Sequence, residues 1–361
     1  MMRNILFTIS IALYASVSFA GGELFEDTKE FKKVVKSTDD FELEISNKHG
    51  NVVFEIWDKD SVSVEVIITA ESQKLDRVNS ILENINVRFS SNGDYLSAST
   101  EWSSATRSVK NDVLGLFGEQ SVHVNYLIKM PAHIEVEVDN KFGNVTMGNV
   151  TGKLKIDVSH GNINLRKVKN AKTIKLQYGN FRAKELGDCD LDVKFSDIVI
   201  DKAGELKLTS TSSEIEIEKV DKLVLKSVSD DIEIEEINEL NFSATFSNIE
   251  IEKLNKSVGG TMKYGSIEIE EIRAGFRDIT IDGQVTDIDL NFEEGVSFNY
   301  FVQLEKGKSF IIPSSVNTLD KDNTFDEIHQ FEGSYAKGEN SEASSVRVIS
   351  KNSYIQFGKA G

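Results

Sequence analysis

Between residues 136 and 272, apolar and polar positions alternate in a short phrase that keeps returning: KFGNVTMGNV, SHGNINLRKV, QYGNFRAKEL, KFSDIVIDKA, TSSEIEIEKV, VSDDIEIEEI, TFSNIEIEKL and KYGSIEIEEI. The first apolar residue after each turn is Val145, Ile163, Phe181, Ile198, Ile215, Ile232, Ile249 or Ile267, at intervals of 17 or 18 residues. Two places on stand Leu165, Ala183, Ile200, Ile217, Ile234, Ile251 and Ile269, with Asn, Arg, Val or Glu between. Alternation of this kind predicts a strand with one buried face. A second such run precedes each turn, at 153–158, 173–178, 190–195, 205–209, 222–228, 239–244 and 258–264. Each repeat therefore predicts two short strands and two corners, with no helical period inside it. A coil of this size cannot bury its apolar face alone, so the pattern predicts a solenoid.

The turn itself has three columns. A ring column holds Phe142, His160, Tyr178, Phe195, Phe246 and Tyr264, with Ser212 and Ser229 as a gap. Next comes Gly143, Gly161, Gly179, Ser196, Ser213, Asp230, Ser247 or Gly265, and then mostly Asn or an acid, from Asn144 onward. Small residues followed by Asn or Asp suit a corner that needs a positive φ or a side chain bonding its own backbone. Stacked Asn side chains can also bond from coil to coil, because rungs lie about 4.8 Å apart.

Flanking segments extend the plan. Residues 1–20 carry Arg3, an apolar run and Ser18-Phe19-Ala20 as a cleavage site, which is the pattern of a secretory signal peptide; the run is short for a spanning anchor. In 21–135 the phrase occurs once, as SNKHGNVVFEI, so the solenoid starts near residue 40 and is interrupted by an insertion. Leu75, Val78, Leu82 and Ile85 fall on one helical face, predicting a helix over 72–84 that caps the first coils and covers their edge. A hairpin is expected around 90–94, and 113–118 is an apolar loop tip in an irregular stretch. The regular repeats fill 136–290. In 291–361 further coils are expected, with a long polar surface loop or partly disordered segment at 313–345 and a last coil closing the C-terminal edge.

Composition narrows the function. The chain carries a net charge of −18, and removing the first 20 residues, whose only charge is Arg3, leaves −19. That charge repels phosphates and argues against nucleic acid. A lone cysteine, Cys189, permits no internal disulfide, so a stacked core must supply the stability. Strands of about five residues are too short for an outer-membrane barrel, and no later apolar run reaches spanning length, so the mature chain is not an integral membrane protein.

A signal peptide, a strand leading into Pro131, the run DNKFGNVTMGNVTGKLKIDVSHGNINL and a late GSYAKG before a final strand resemble a family of bacterial secreted β-solenoids catalogued as "putative adhesins". They are similar to the GIN head domain of autotransporter-like adhesins. The resemblance covers nearly the whole mature chain and implies a right-handed parallel β-helix at the cell envelope. It brings no site residues and no cofactor.

Acidity supplies the candidate site. Outward columns beside the reference strand run Glu216, Glu233, Glu250, Glu268 and Glu218, Glu235, Glu252, Glu270. Each like-charged neighbour at about 5 Å costs roughly 0.8 kcal/mol in water before salt screening, and Lys202, Lys219 and Lys253 relieve part of it. The strip suits a solvated face, or a face for a cationic peptide or protein. Calcium fits poorly, because strand-borne Glu side chains do not wrap an ion and no calcium-loop motif is present. For catalysis there is no GxSxG, no HExxH and no phosphate loop; a carbohydrate-active β-helix enzyme remains the alternative, since two carboxylates suffice for it. The expectation is an all-β, non-enzymatic exported module of the periplasm or cell surface. It would be a monomer without cofactor or metal, binding a protein, glycan or cationic peptide.

Overall fold

In-register hydrogen bonding between one repeat and the next is what the alternation produces. The computed structural model describes residues 24–103, 120–306, 309–313, 317–320, 328–335 and 344–361; the expected signal peptide at 1–20 and the expected apolar loop tip at 113–118 lie outside them. The described residues are all-β apart from one helix, and the chain divides into two compact units, Met1–Asn180 and Phe181–Gly361.

The first unit holds β1 (Phe25–Lys36), β2 (Glu42–Lys48), β3 (Val52–Ile56), β4 (Ser61–Ser72), α1 (Leu75–Asn84), β5 (Ile85–Asn92), β6 (Tyr95–Trp102), β7 (Gln120–Met130), β8 (Glu135–Lys141), β9 (Val145–Ser159) and the start of β10 (Ile163–Thr211). Parallel pairing sets Glu42 on Glu135, Lys48 on Lys141 and Val52 on Val145, so 42–56 is a rung stacked on one that lies 93 residues later. Between them the chain makes an insertion of further strands and the helix. β4 pairs antiparallel with β1 and β7, and β5 with β6 through a turn at Gly93, whose φ is +54°. The free edges of β2 and β3 are covered by β6 and β7, not by the helix as expected. Instead α1 buries Val78, Ile81 and Leu82 against β1, β4 and β5. It starts at Leu75, later than expected, because β4 runs to Ser72. Lys29 Nζ donates to the carbonyls of Leu82 (3.3 Å) and Ile85 (3.0 Å), satisfying the helix end.

The corner differs from the expected one. Positive φ falls on the ring column, at His49 (64°), Phe142 (60°), His160 (57°) and Tyr178 (59°), and not on the glycines after it. Those glycines are required by close approach: a Cβ on Gly161 would lie 2.0 Å from the Gly143 carbonyl oxygen, and one on Gly143 2.0 Å from that of Gly50. The Asn column then links rungs. The backbone N–H of Asn144 donates to Asn51 Oδ1 (3.0 Å), that of Asn162 to Asn144 Oδ1 (2.8 Å) and that of Asn180 to Asn162 Oδ1 (2.9 Å). A left-handed non-glycine residue costs about 1–2 kcal/mol. The rings offset it by stacking, His49 on Phe142 at 5.0 Å, Phe142 on His160 at 5.0 Å and His160 on Tyr178 at 4.9 Å, each pair worth about 0.5–1.5 kcal/mol.

The second unit continues β10 and adds β11 (Glu214–Val228), β12 (Asp231–Thr245), β13 (Asn248–Ile272), β14 (Asp278–Phe292), β15 (Phe298–Glu305), β16 (Ser309–Ile311), β17 (Asn317–Asp320), β18 (Ile328–Tyr335), β19 (Ser344–Lys351) and β20 (Tyr354–Lys359). Ile198 pairs with Ile215, Ile215 with Ile232 and Ile232 with Ile249, all parallel. The isoleucines of both inward columns are buried. Strands β11 and β12 run 15 residues without a break, so the expected second corner does not interrupt them.

Here the corner bond reverses. Ser196, Ser213, Asp230 and Ser247 are buried where glycine stood, and each of the later three accepts the N–H of its predecessor. The Asp230 carboxylate is fully satisfied: Oδ1 accepts from Ser210 Oγ (3.0 Å) and Ser213 N (2.9 Å), Oδ2 from Ser227 Oγ (2.6 Å) and Val228 N (3.1 Å). Four donors are what a buried charge needs to be tolerated.

The C-terminal end also departs from expectation. β19 lies between β14 and β15, parallel to both, and β20 lies between β14 and β16. The last rung in sequence is thus not the last in space. β18 pairs antiparallel with the outer edge of β15 and β17 with β18, so part of the expected loop at 313–345 is a strand pair. Its polar composition hid the aromatic anchor: Tyr335 stacks on Phe298 at 4.8 Å, beside Phe292, Phe276 and Phe357.

Substituting Gly161→Ala forces a methyl group onto backbone and is expected to destabilise by about 2–3 kcal/mol. Gly148→Ala, whose nearest neighbour would be Ile56 Cγ1 at 3.6 Å, serves as the control and should change stability by under about 1 kcal/mol. Urea denaturation of the two variants checks this; equal midpoints would refute the close-approach account.

Candidate functional site

The eight expected glutamates stand on strands whose inward neighbours fix their direction. Because Ile215, Ile217, Ile232, Ile234, Ile249, Ile251, Ile267 and Ile269 are buried, the residues between them must point outward. Register then aligns them: Glu216 lies opposite Glu233 and Glu233 opposite Glu250, while Glu268 lies opposite Asp289. Glu216, Glu218, Glu233, Glu235, Glu250, Glu252 and Glu270 line one open trough of about 290 Å3, together with Val199, Ile200, Ile217 and Ile234. Glu268 is exposed in the same face and does not line the trough.

Electrostatics separates the trough from its rim. One place further along, Lys219 lies opposite Glu236 and Glu236 opposite Lys253, so this column alternates in sign. Lys219 Nζ bonds Glu236 Oε2 at 2.7 Å, and Asn255 Nδ2 donates to Glu236 Oε1 at 3.1 Å. Together they hold the Glu236 carboxyl below the usual carboxylate range. Lys253 turns back to Glu252 and neutralises one member of the strip. Sequence reasoning passed over Glu236, although its place between Lys219 and Lys253 in a 17-residue register was the available signal.

One end of the strip behaves differently. Burial first, then the charges of Asp289, Glu250 and Glu270, push the Glu268 carboxyl above its ordinary range. Burial also raises Asp289, against a bond from Asn291, and its Oδ1 is buried without a partner. Asp289 was not among the expected residues, because the insertion after Ile272 shifts it out of the 17–18-residue count.

The arrangement concentrates negative charge on one outward sheet face and offers many equivalent acceptors. Among the described residues no three His, Cys, Asp or Glu side chains gather in a way that would hold a metal ion. Cys189 is buried, and its thiol is pushed up to about 12, which leaves it protonated and inert at neutral pH. No helix among the described residues is long and apolar enough to cross a membrane.

No family model matches the sequence, and no curated protein matches it. Solved structures give remote likenesses. A "putative cell adhesion protein" of Clostridium sporogenes is 8% identical, over 92% of this chain and 100% of that one, at a TM-score of 0.21. A "putative adhesin" of Parabacteroides merdae is 14% identical over 73% and 92%, at 0.32. A "putative lipid binding protein" of Parabacteroides distasonis is 12% identical over 76% and 92%, at 0.29. At this distance, activity and partner have to be argued from the residues of this chain.

A carboxyl raised in the folded state favours its protonated form, so the stability it contributes is present below its unfolded value, near 4, and is lost as pH rises through the folded one. Asp289→Asn keeps the neutral form at every pH. It is expected to stabilise the protein at pH 7 by roughly 0.5–1 kcal/mol, the scale of a like-charge cross-strand pair. The gain should vanish below about pH 4. Denaturant midpoints at the two pH values check the sign, and a variant less stable than wild type at pH 7 would contradict it.

Proposed function

We propose that this chain is an exported, non-enzymatic binding module of the bacterial cell envelope, in which Glu216, Glu218, Glu233, Glu235, Glu250, Glu252, Glu268 and Glu270 form an acidic face for a cationic protein or peptide. The coil behind it is a right-handed parallel β-helix whose regular part fills 136–290. Parallel pairing of residues 17 or 18 apart supports that architecture. Export to the periplasm or cell surface rests on the sequence of residues 1–20, and the family on the resemblance in the coil phrase.

The observation that carries the binding reading is the contrast between the two glutamate columns and their rim. Lysines placed one residue further along neutralise Glu236 and Glu252 and leave most of the trough uncompensated. A face needed only for solubility gains nothing from concentrating like charge where register makes it costly. A cationic partner gains a focused field and a steered encounter.

A carbohydrate-active enzyme is the second reading, and one pair favours it. Glu268 and Asp289 are opposite in register and both are held toward the protonated form, as a general acid must be. Turnover of acidic or neutral glycans that disappears in Asp289→Asn would establish that reading in place of the first.

The binding reading is tested with a lysine octapeptide and fluorescence anisotropy. Affinity should fall at least about tenfold when Glu216, Glu233, Glu235 and Glu250 are all changed to Gln, and it should weaken steeply between about 0.02 and 0.3 M salt. Equal affinity for the variant and the wild-type protein would refute the assignment of this face.

A further inference from the structure

A second trough of about 290 Å3 lies in the first unit, across β6, β2, β8, β9 and β10, and its charges are of both signs. Most are matched within the protein. Lys153 bonds Glu135, Lys155 Nζ reaches Glu137 Oε1 at 2.5 Å, and the Tyr95 hydroxyl donates to Glu44. Three have no ion-pair partner among the described residues: Glu42 and Glu44 at one end, on β2, where the Tyr95 hydroxyl bonds Glu44 without supplying an opposite charge, and Lys172 at the other, on β10.

Lys172 is placed there by an irregularity. Ala171 pairs with Leu154 and Thr173 with Lys155, so Lys172 is the extra residue of a β-bulge in an otherwise regular register. Bulges re-aim a side chain, and they persist where that re-aiming matters. From β2 through β8 and β9 to β10 is three strand spacings, about 14 Å. The floor between is self-neutralised by the two Lys–Glu pairs, so an uncharged stretch of ligand can cross it without stranding a charge.

We propose that this trough binds a short zwitterionic ligand, an extended peptide of about four residues with both termini free. Its ammonium lies toward Glu42 and Glu44, and its carboxylate toward Lys172. Charge complementarity at the two ends sets the direction, and the 14 Å span sets the length. The site is separate from the acidic face of the second unit and goes beyond that reading. An exposed ion pair contributes little, so each end should account for only about a two- to fivefold change in affinity.

The test is a titration of the full chain with tetra-alanine, its N-acetylated form and its C-terminal amide, followed by NMR shifts of residues around Tyr95 and Thr173. Saturable binding should weaken about two- to fivefold on blocking either end. In Lys172→Ala the amide should bind as well as the free acid while the acetylated form is still disfavoured. In Glu42→Gln the penalty for acetylation should shrink and the penalty for amidation remain. Both residues are exposed, so neither change should disturb folding. Equal binding of all three peptides, no saturable binding, or loss of both preferences together in either variant would overturn the proposal.

Discussion

Everything in this protein follows from how closely one rung's backbone approaches the next at the corner. A ring residue, or Ser212 and Ser229 where the rings lapse, turns left-handed, and the residue after it comes within reach of the same residue one rung away. Where that residue is glycine, no side chain fits, and the Asn after it accepts a backbone N–H across the rungs. Where it is Ser or Asp, the side chain itself fills the gap and accepts. Both solutions fix register to the residue, because a one-residue slip would move every inward isoleucine to the surface.

Fixed register turns a sequence repeat into columns, and the columns carry opposite energetic signs. Buried isoleucines pile up and contribute roughly 1.5–3 kcal/mol each by burial, whereas stacked glutamates cost a fraction of that per pair. The core can therefore support a strip of repelling charge on its outer face. Asp230 is the limiting case: its carboxylate sits inside the corner with four donors and joins neighbouring rungs instead of repelling anything.

Local patterning made most of the architecture legible before any coordinates. Period, strand faces, the stacked rings from His49 to Tyr178, the helix and the hairpin at Gly93 all leave marks within a few residues of themselves. The corner dihedral did not, since Gly161 is as well explained by positive φ as by close approach; the positive φ at His160, and the Gly143 oxygen 2.0 Å from where a Gly161 Cβ would stand, decide between them. Rung order was hidden for another reason. That β6 lies outside β2, or that β19 enters between β14 and β15, depends on pairings across tens of residues that no local alternation encodes. The glutamate columns were readable from the repeat, while Asp289 and Lys172 were not, because an insertion and a bulge displace them from the count.

Stacking of successive repeats in register is the central claim, and paired spin labels test it most directly. Cys189 is buried and its thiol is protonated at neutral pH, so labels attach only at introduced cysteines. Labels replacing Glu216 and Glu233 should show the strong broadening of adjacent rungs about 5 Å apart, and labels replacing Glu216 and Glu250 the weaker coupling of about 10 Å. Narrow, uncoupled spectra from both pairs, meaning separations beyond about four strand spacings or 20 Å, would contradict the account.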